Sequence, residues 1–232
     1  MLQLHNIRAQ SAPLLICLLI VGTLQASVGQ AELADPTKRA LYLSETLPNQ
    51  TLKERLQSCA LGDFYPTDFS IAHRGAPLGY PEHSREGYVA AAEQGAGVIE
   101  CDVTFTQDLA LVCRHSQCDL ATTTNILQTP LAAKCSKPFR PANGQQPASA
   151  TCCTTDISLA EFKTLCARPD QSNKKAKTVA QYLAPLRSPV VSKPLACGTL
   201  MTHAQSIELI DALGRKFTPE LKRPMVDMPF AP

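Results

Sequence analysis

Glu100 and Asp102 stand two residues apart in the run VIECDVTF, and that spacing is the first sign of chemistry. In an extended chain, residues two apart share a face, so both carboxylates point one way. Ile99, Cys101, Val103 and Phe105 then point the other way, toward covering helices. Two carboxylates side by side repel unless a proton or a cation sits between them. A salt-bridged strand face open to water is the plainer reading of the same pair. The run PELK at 219–222 repeats the device, with Glu220 and Lys222 alternating onto one face of a second strand. Three carboxylates at strand ends make a hard-oxygen site suited to Ca²⁺ or Mg²⁺. His73 closes the apolar run FSIAH, and His115 closes LALVCRH. Two imidazoles at strand exits, beside a cation and Arg74, point to acid–base work on a phosphoester. His83 and His203 have weaker contexts and stay outside this set.

The elements that must position these groups follow from pattern. FSIAH reads as a short buried strand. SREGYVAAAEQGAG reads as a helix with Ser84 as N-cap and Gly95 as its stop, though Gly87 inside it costs about 1 kcal/mol relative to alanine. VIECDVTFT is β-branched and strand-like. Strand, loop, helix and strand thus occupy a span the size of a βαβ unit. LALVCRH is a third short strand. Residues 128–157 hold Pro, Gly, Ser, Gln and three cysteines without periodicity, which reads as an inserted, disulfide-stapled loop. Helical pattern resumes at SLAEFKTLC, where Ser158 and Glu161 form a capping box. THAQSIELIDALG places Ala204, Ile207, Ile210 and Leu213 at helical spacing and stops at Gly214. One short amphipathic helix is expected in YLSETLPNQTLKERLQSC.

The whole chain sets the setting. With 232 residues, 44% hydrophobic and 18% charged, it is globular in composition. A formal net charge of +2 implies no dense basic face, which argues against nucleic acid as a partner. Residues 1–31 read as a secretory signal: Arg8, an apolar run from Leu14 to Val21, then small residues ending at Ala31. That run is too short for a stable membrane anchor, which needs about 20 residues. Secretion, or export to a periplasm, suits the ten cysteines. Nine remain after Cys17, so at least one thiol is free or partnered elsewhere. Their spacing carries no zinc signature. Asn49-Gln50-Thr51 is a glycosylation sequon for a eukaryotic source.

The ordered set AHRG at 72–75, PEHS at 81–84, IECDV at 99–103, His115 and PELK at 219–222 resembles the glycerophosphodiester phosphodiesterase family. Each motif is weak alone, and five in order are specific. The resemblance implies an α/β fold of the TIM (β/α)8 barrel type with site residues at strand C-termini. It implies Glu100, Asp102 and Glu220 as ligands of a divalent cation, His73 and His115 as the acid–base pair, Arg74 as phosphate binder and Lys222 near the phosphate. The implied activity is hydrolysis of glycerophosphodiesters, small-molecule substrates, to glycerol 3-phosphate and an alcohol. A lipid-headgroup phospholipase D-like barrel and a truncated, non-catalytic secreted domain are the alternatives. The chain departs from the family pattern at His83, where Asn is usual, and at Ser116, where Asp is usual. A TIM barrel takes about 250 residues, yet twelve residues follow Glu220. The expectation is therefore a lead-in at 32–68 and a partial domain at 69–232, its barrel incomplete, with a Cys-rich inserted loop and the missing half supplied by further chain or a second chain.

Overall fold

The computed structural model describes residues 43–59, 62, 65–184 and 195–232. The expected signal at 1–31 and the first part of the lead-in lie outside the described residues. The first long helix, α1 (Gln50–Cys59), buries none of its residues, and Leu52 and Leu56 stay exposed. Its Asn49 side chain accepts the Leu52 N–H at 2.9 Å, as an N-cap does.

The site is carried by a four-stranded sheet built on β2 (Ala96–Phe105), with β1 (Thr67–Ala72), β3 (Leu111–Cys113) and β8 (Lys216–Leu221). Strands β1 and β8 both run parallel to β2, and both pair with Val98 and Ile99. A strand has two edges, so they flank it on opposite sides. Strand β3 is different: it turns back antiparallel, pairing Val103 with Cys113. Val103 also pairs with Leu221, so β3 continues along the edge that β1 leaves at Ala72. The β2–β3 hairpin thereby returns the chain to the middle of β2, where Arg114 N–H donates to the Asp102 carbonyl at 2.9 Å.

Helix α2 (Arg85–Glu93) covers one face of β2. Ser84 is its N-cap, accepting the Gly87 N–H, and Gly95 follows in the left-handed region at φ 87°. Gly87 has a reason to be glycine: a Cβ there would sit 3.1 Å from the Pro81 carbonyl oxygen and from Ser84 Oγ. Tyr88 and Ala90–Ala92 pack on Ile99, Cys101 and Val103, the alternate face to the carboxylates. Helix α6 (His203–Ala212), capped by Thr202, completes that layer through Ile210, and ends before Gly214 at φ 65°. Its buried stripe runs through Ser206 and Ile210 rather than Ala204, which is exposed.

A second core gathers Leu120, Ile126, Ile157, Phe162 and Tyr182 around short elements: α3 (Leu120–Thr123), β4 (Lys137–Arg140), β5 (Ser149–Thr151), α4 (Leu159–Phe162), β6 (Cys166–Ala167), α5 (Val179–Tyr182) and β7 (Gly198–Thr199). Ser158 and Glu161 form a capping box at α4. Three disulfides staple this region: Cys118–Cys153, Cys135–Cys152 and Cys166–Cys197. A fourth, Cys101–Cys113, ties β2 to β3. Cys59 is the one free cysteine among the described residues, and it is exposed.

Strand β1 is not the buried strand its apolar run predicts. Phe69 is 96% exposed and Ile71 58%, and on β8 Leu221 is 81% exposed. The reason is positional: among the described residues nothing pairs with the outer edges of β1 and β8. The fold is α/β, and the sheet does not close on itself within the described residues.

Candidate active site

The carboxylate face of β2 is assembled by register. Glu100 pairs with Thr218 and Asp102 with Glu220 across the parallel β2–β8 ladder. In-register residues of neighbouring strands share a face, so Glu100, Asp102 and Glu220 stand together although 118 residues separate Asp102 from Glu220. Glu100 and Asp102 are buried, and Glu220 is exposed. Lys222 reaches over them: its Nζ lies 2.5 Å from Glu220 Oε1 and 3.2 Å from Asp102 Oδ1.

Two loops fix the buried pair. After β1 the chain turns at Arg74 (φ 62°) and Gly75 (φ 88°), both left-handed. That turn aims the Arg74 backbone N–H at Glu100 Oε2, 2.7 Å away. The second loop ends at His83 (φ 53°), whose N–H donates to the Arg74 carbonyl at 3.1 Å. Non-glycine residues at positive φ cost roughly 1–3 kcal/mol each and persist where the surroundings over-determine them. Here Gly75 is wedged against α2: a Cβ on it would meet the Gly87 carbonyl group at 3.0 Å. The Arg74 guanidinium pairs with Glu82 Oε2 at 2.9 Å and lies 3.6 Å from Asp102 Oδ2. Fully buried Arg114 donates from Nη2 to the Glu82 carbonyl at 2.7 Å and stands 3.5 Å from its carboxylate. Burial works to raise the Glu82 carboxyl, but Arg114, His83 and Arg74 outweigh it and hold it below the usual range.

Glu100 and Asp102 are driven apart electrostatically. Burial, then the charges of Asp102 and Glu220, push Glu100 up to about 7 against the pull of the Arg74 N–H. Asp102 is also desolvated, yet the His83 hydrogen bond and the Lys222 ammonium bring it down to about 2. Burial lowers His83 to about 4, so the ring is neutral at pH 7. Its Nε2 lies 3.0 Å from Asp102 Oδ2 and its Nδ1 lies 3.1 Å from the Tyr88 hydroxyl.

Each buried carboxylate therefore has one oxygen tied down and one left over. Glu100 Oε1 and Asp102 Oδ1 are both shielded from solvent and make no hydrogen bond; for Oδ1, the Lys222 contact is an ion pair without hydrogen-bond geometry. Buried acceptors without donors are costly. A hard cation is the natural partner for two such oxygens beside a third carboxylate.

The two predicted histidines flank this cluster without joining it. His73 is exposed and precedes Arg74; His115 is half-buried and follows Arg114. Among the described residues, neither makes a hydrogen bond or ion pair with the carboxylates. The residues the sequence reading passed over are His83 and Arg114. His83 carried a signal, since it stands where the resembled pattern has Asn. Arg114 carried none, because nothing local says that an arginine after a strand is to be fully buried. Asp119, half-buried and raised by desolvation to about 6, shapes the turn that bears His115: its carboxylate accepts the Ser116 N–H at 2.9 Å.

The model of the Glycerophosphoryl diester phosphodiesterase family matches residues 73–228, from the first candidate histidine past Lys222. The chain belongs to that family. Relatives of the family member include "Probable glycerophosphodiester phosphodiesterase 1" of Mycobacterium tuberculosis, 47% identical over 49 residues, which are 21% of this chain and 18% of that protein. An "Extracellular protein" of Arthroderma benhamiae is 41% identical over 64 residues, 26% of this chain and 25% of its own. Among solved structures, a glycerophosphodiester phosphodiesterase from Agrobacterium tumefaciens aligns at 18% identity with a TM-score of 0.41, covering 68% of this chain and 48% of its own. The chain spans about a fifth to a quarter of these curated relatives' length and under half of that structure.

Proposed function

We propose that this face is the cation-binding and phosphate-binding part of a glycerophosphodiester phosphodiesterase of TIM-barrel type, acting on a small-molecule phosphodiester outside the cell. The observation that carries the reading is the pair of buried oxygens that make no hydrogen bond, Glu100 Oε1 and Asp102 Oδ1, the latter ion-paired with Lys222, with Glu220 in register beside them. Glu100, Asp102 and Glu220 would hold a divalent cation, Ca²⁺ or Mg²⁺. When bound, such a cation supplies Lewis-acid stabilisation of charge developing on a phosphoryl oxygen.

The rest of the chemistry belongs to the chain. Attack on a phosphodiester places negative charge on the non-bridging oxygens. Arg74, with a buried Nε that makes no hydrogen bond, and Lys222 bring positive charge to that place. Glu82 holds the Arg74 guanidinium in position. His73 and His115 serve as the acid–base pair, one accepting the nucleophile's proton and the other protonating the leaving alkoxide. Each is one residue from a backbone N–H that donates to the Glu100 carboxylate or to the Asp102 carbonyl. The open edges of β1 and β8 are where the remaining barrel strands would pair. Secretion is supported by the four disulfides and by the signal-like start. No helix among the described residues is long and apolar enough to cross a membrane.

The test is hydrolysis of glycerophosphocholine by the secreted protein, with and without exhaustive chelation. Turnover that disappears in EDTA, returns with Ca²⁺ or Mg²⁺, and is lost in Glu100→Ala and His73→Ala is expected. Turnover surviving chelation, or retained in both variants, refutes the assignment.

A further inference from the structure

His83 is fully buried, and both of its ring nitrogens are engaged. Asp102 Oδ2 can only accept, so the hydrogen between it and the imidazole belongs to Nε2. That holds whether or not Nδ1 is also protonated, so the donation to Asp102 does not depend on the charge of the ring. At the other end, the Tyr88 hydroxyl meets Nδ1 from inside α2, where Tyr88 is 0% exposed and packed among the alanines of the helix–sheet core. The imidazole thus bridges helix α2 and the ligand-bearing strand β2, where Asp102 lies 19 residues beyond His83. Its backbone is held equally firmly, at φ 53° with its N–H on the Arg74 carbonyl.

We propose that His83, anchored by the Tyr88 hydroxyl, is a positioning residue that fixes Asp102 by occupying Oδ2, so that Oδ1 alone is presented beside Glu100 Oε1. The inference rests on the reading of Glu100 and Asp102 as cation ligands and adds the device that orients them. Outer partners of this kind typically account for 10–100-fold in metal affinity. His83, Glu100 and Asp102 each offer an atom within 4.8 Å of the others, a spacing that would also suit direct ligation by the imidazole. Occupation of both ring nitrogens argues for the positioning role.

The experiment is Mn²⁺ binding to the metal-stripped full chain by calorimetry, with pulsed EPR on the Mn²⁺ form and long-range ¹H–¹⁵N NMR of the histidines. The expected results are a 10–100-fold rise in Kd for His83→Ala, a smaller rise for Tyr88→Phe and partial recovery in His83→Asn, whose amide can donate to Asp102. An Nε2–H resonance and no directly coordinated ¹⁴N are expected in the parent protein. Should His83→Ala fail to fold, Tyr88→Phe decides, since it removes one oxygen and leaves the ring packing. A Kd within about twofold of the parent in the folded variants overturns the proposal, as does an Nδ1–H tautomer or a strong ¹⁴N coupling. If the parent protein binds no Mn²⁺, Ca²⁺ or Mg²⁺, the cation reading itself fails and this inference with it. That outcome is distinct from a site that binds and ignores His83.

Discussion

Protonation of Glu100 should compete directly with cation binding. The Glu100 carboxyl is raised to about 7 in the metal-free protein because it is buried and shares its face with Asp102 and Glu220. A ligand carboxyl must be ionised to bind, so apparent Kd scales as one plus ten to the power of pKa minus pH. At pH 8 that factor is about 1.1, and at pH 6 about 11, so affinity for Ca²⁺ or Mg²⁺ should fall roughly tenfold across the interval. A carboxyl near its ordinary value of about 4.3 would change affinity by only a few per cent over the same range. Glu100→Gln should bind weakly and with little pH dependence. Metal-free folding stability runs the opposite way with pH. A carboxyl raised on folding retains its proton in the folded state, so the contribution of Glu100 to metal-free stability is greatest at low pH. It declines as pH climbs from the unfolded value toward 7. Saturating cation should reverse that decline above pH 7. The assay is isothermal calorimetry at pH 6, 7 and 8, paired with urea melts of the stripped protein. Parent affinities agreeing within about twofold at pH 6 and 8 would refute the argument, because they would mean that Glu100 is already ionised.

Three further outcomes follow from the scaffold. Cys101→Ala/Cys113→Ala opens a closed loop of about 13 residues that ties β2 to β3, two residues before His115, and chain entropy sets its cost near 3 kcal/mol; a urea-melt loss under 1 kcal/mol would contradict it. Gly75→Ala forces a Cβ against the Gly87 carbonyl at φ 88°, so the turn presenting the Arg74 N–H must shift. The melting temperature should drop and cation affinity should weaken, and unchanged affinity would show that the turn is not what holds Glu100. Ser84→Ala removes the α2 N-cap and the bond from Ser84 Oγ to the Pro81 carbonyl, at a cost of about 1 kcal/mol by thermal melting.

What the sequence determined by itself is local. Ser84, Gly95, Ser158, Glu161 and Gly214 announce helix ends because capping acts over three or four residues of contiguous chain. The alternation in VIECDVTF sets Glu100 and Asp102 on one face and their apolar neighbours on the other because the strand period is two. Only the tertiary structure decided the rest. It placed Glu220 opposite Asp102, a pairing set by ladder register and not by any nearby residue. It chose Cys113 as the partner of Cys101, left Cys59 unpaired, and exposed the apolar Phe69 and Ile71 of β1. It brought His83 between Tyr88 and Asp102 and buried Arg114 beneath Glu82. Those contacts join residues far apart along the chain, and their energies depend on distance, burial and orientation, none of which a linear pattern encodes.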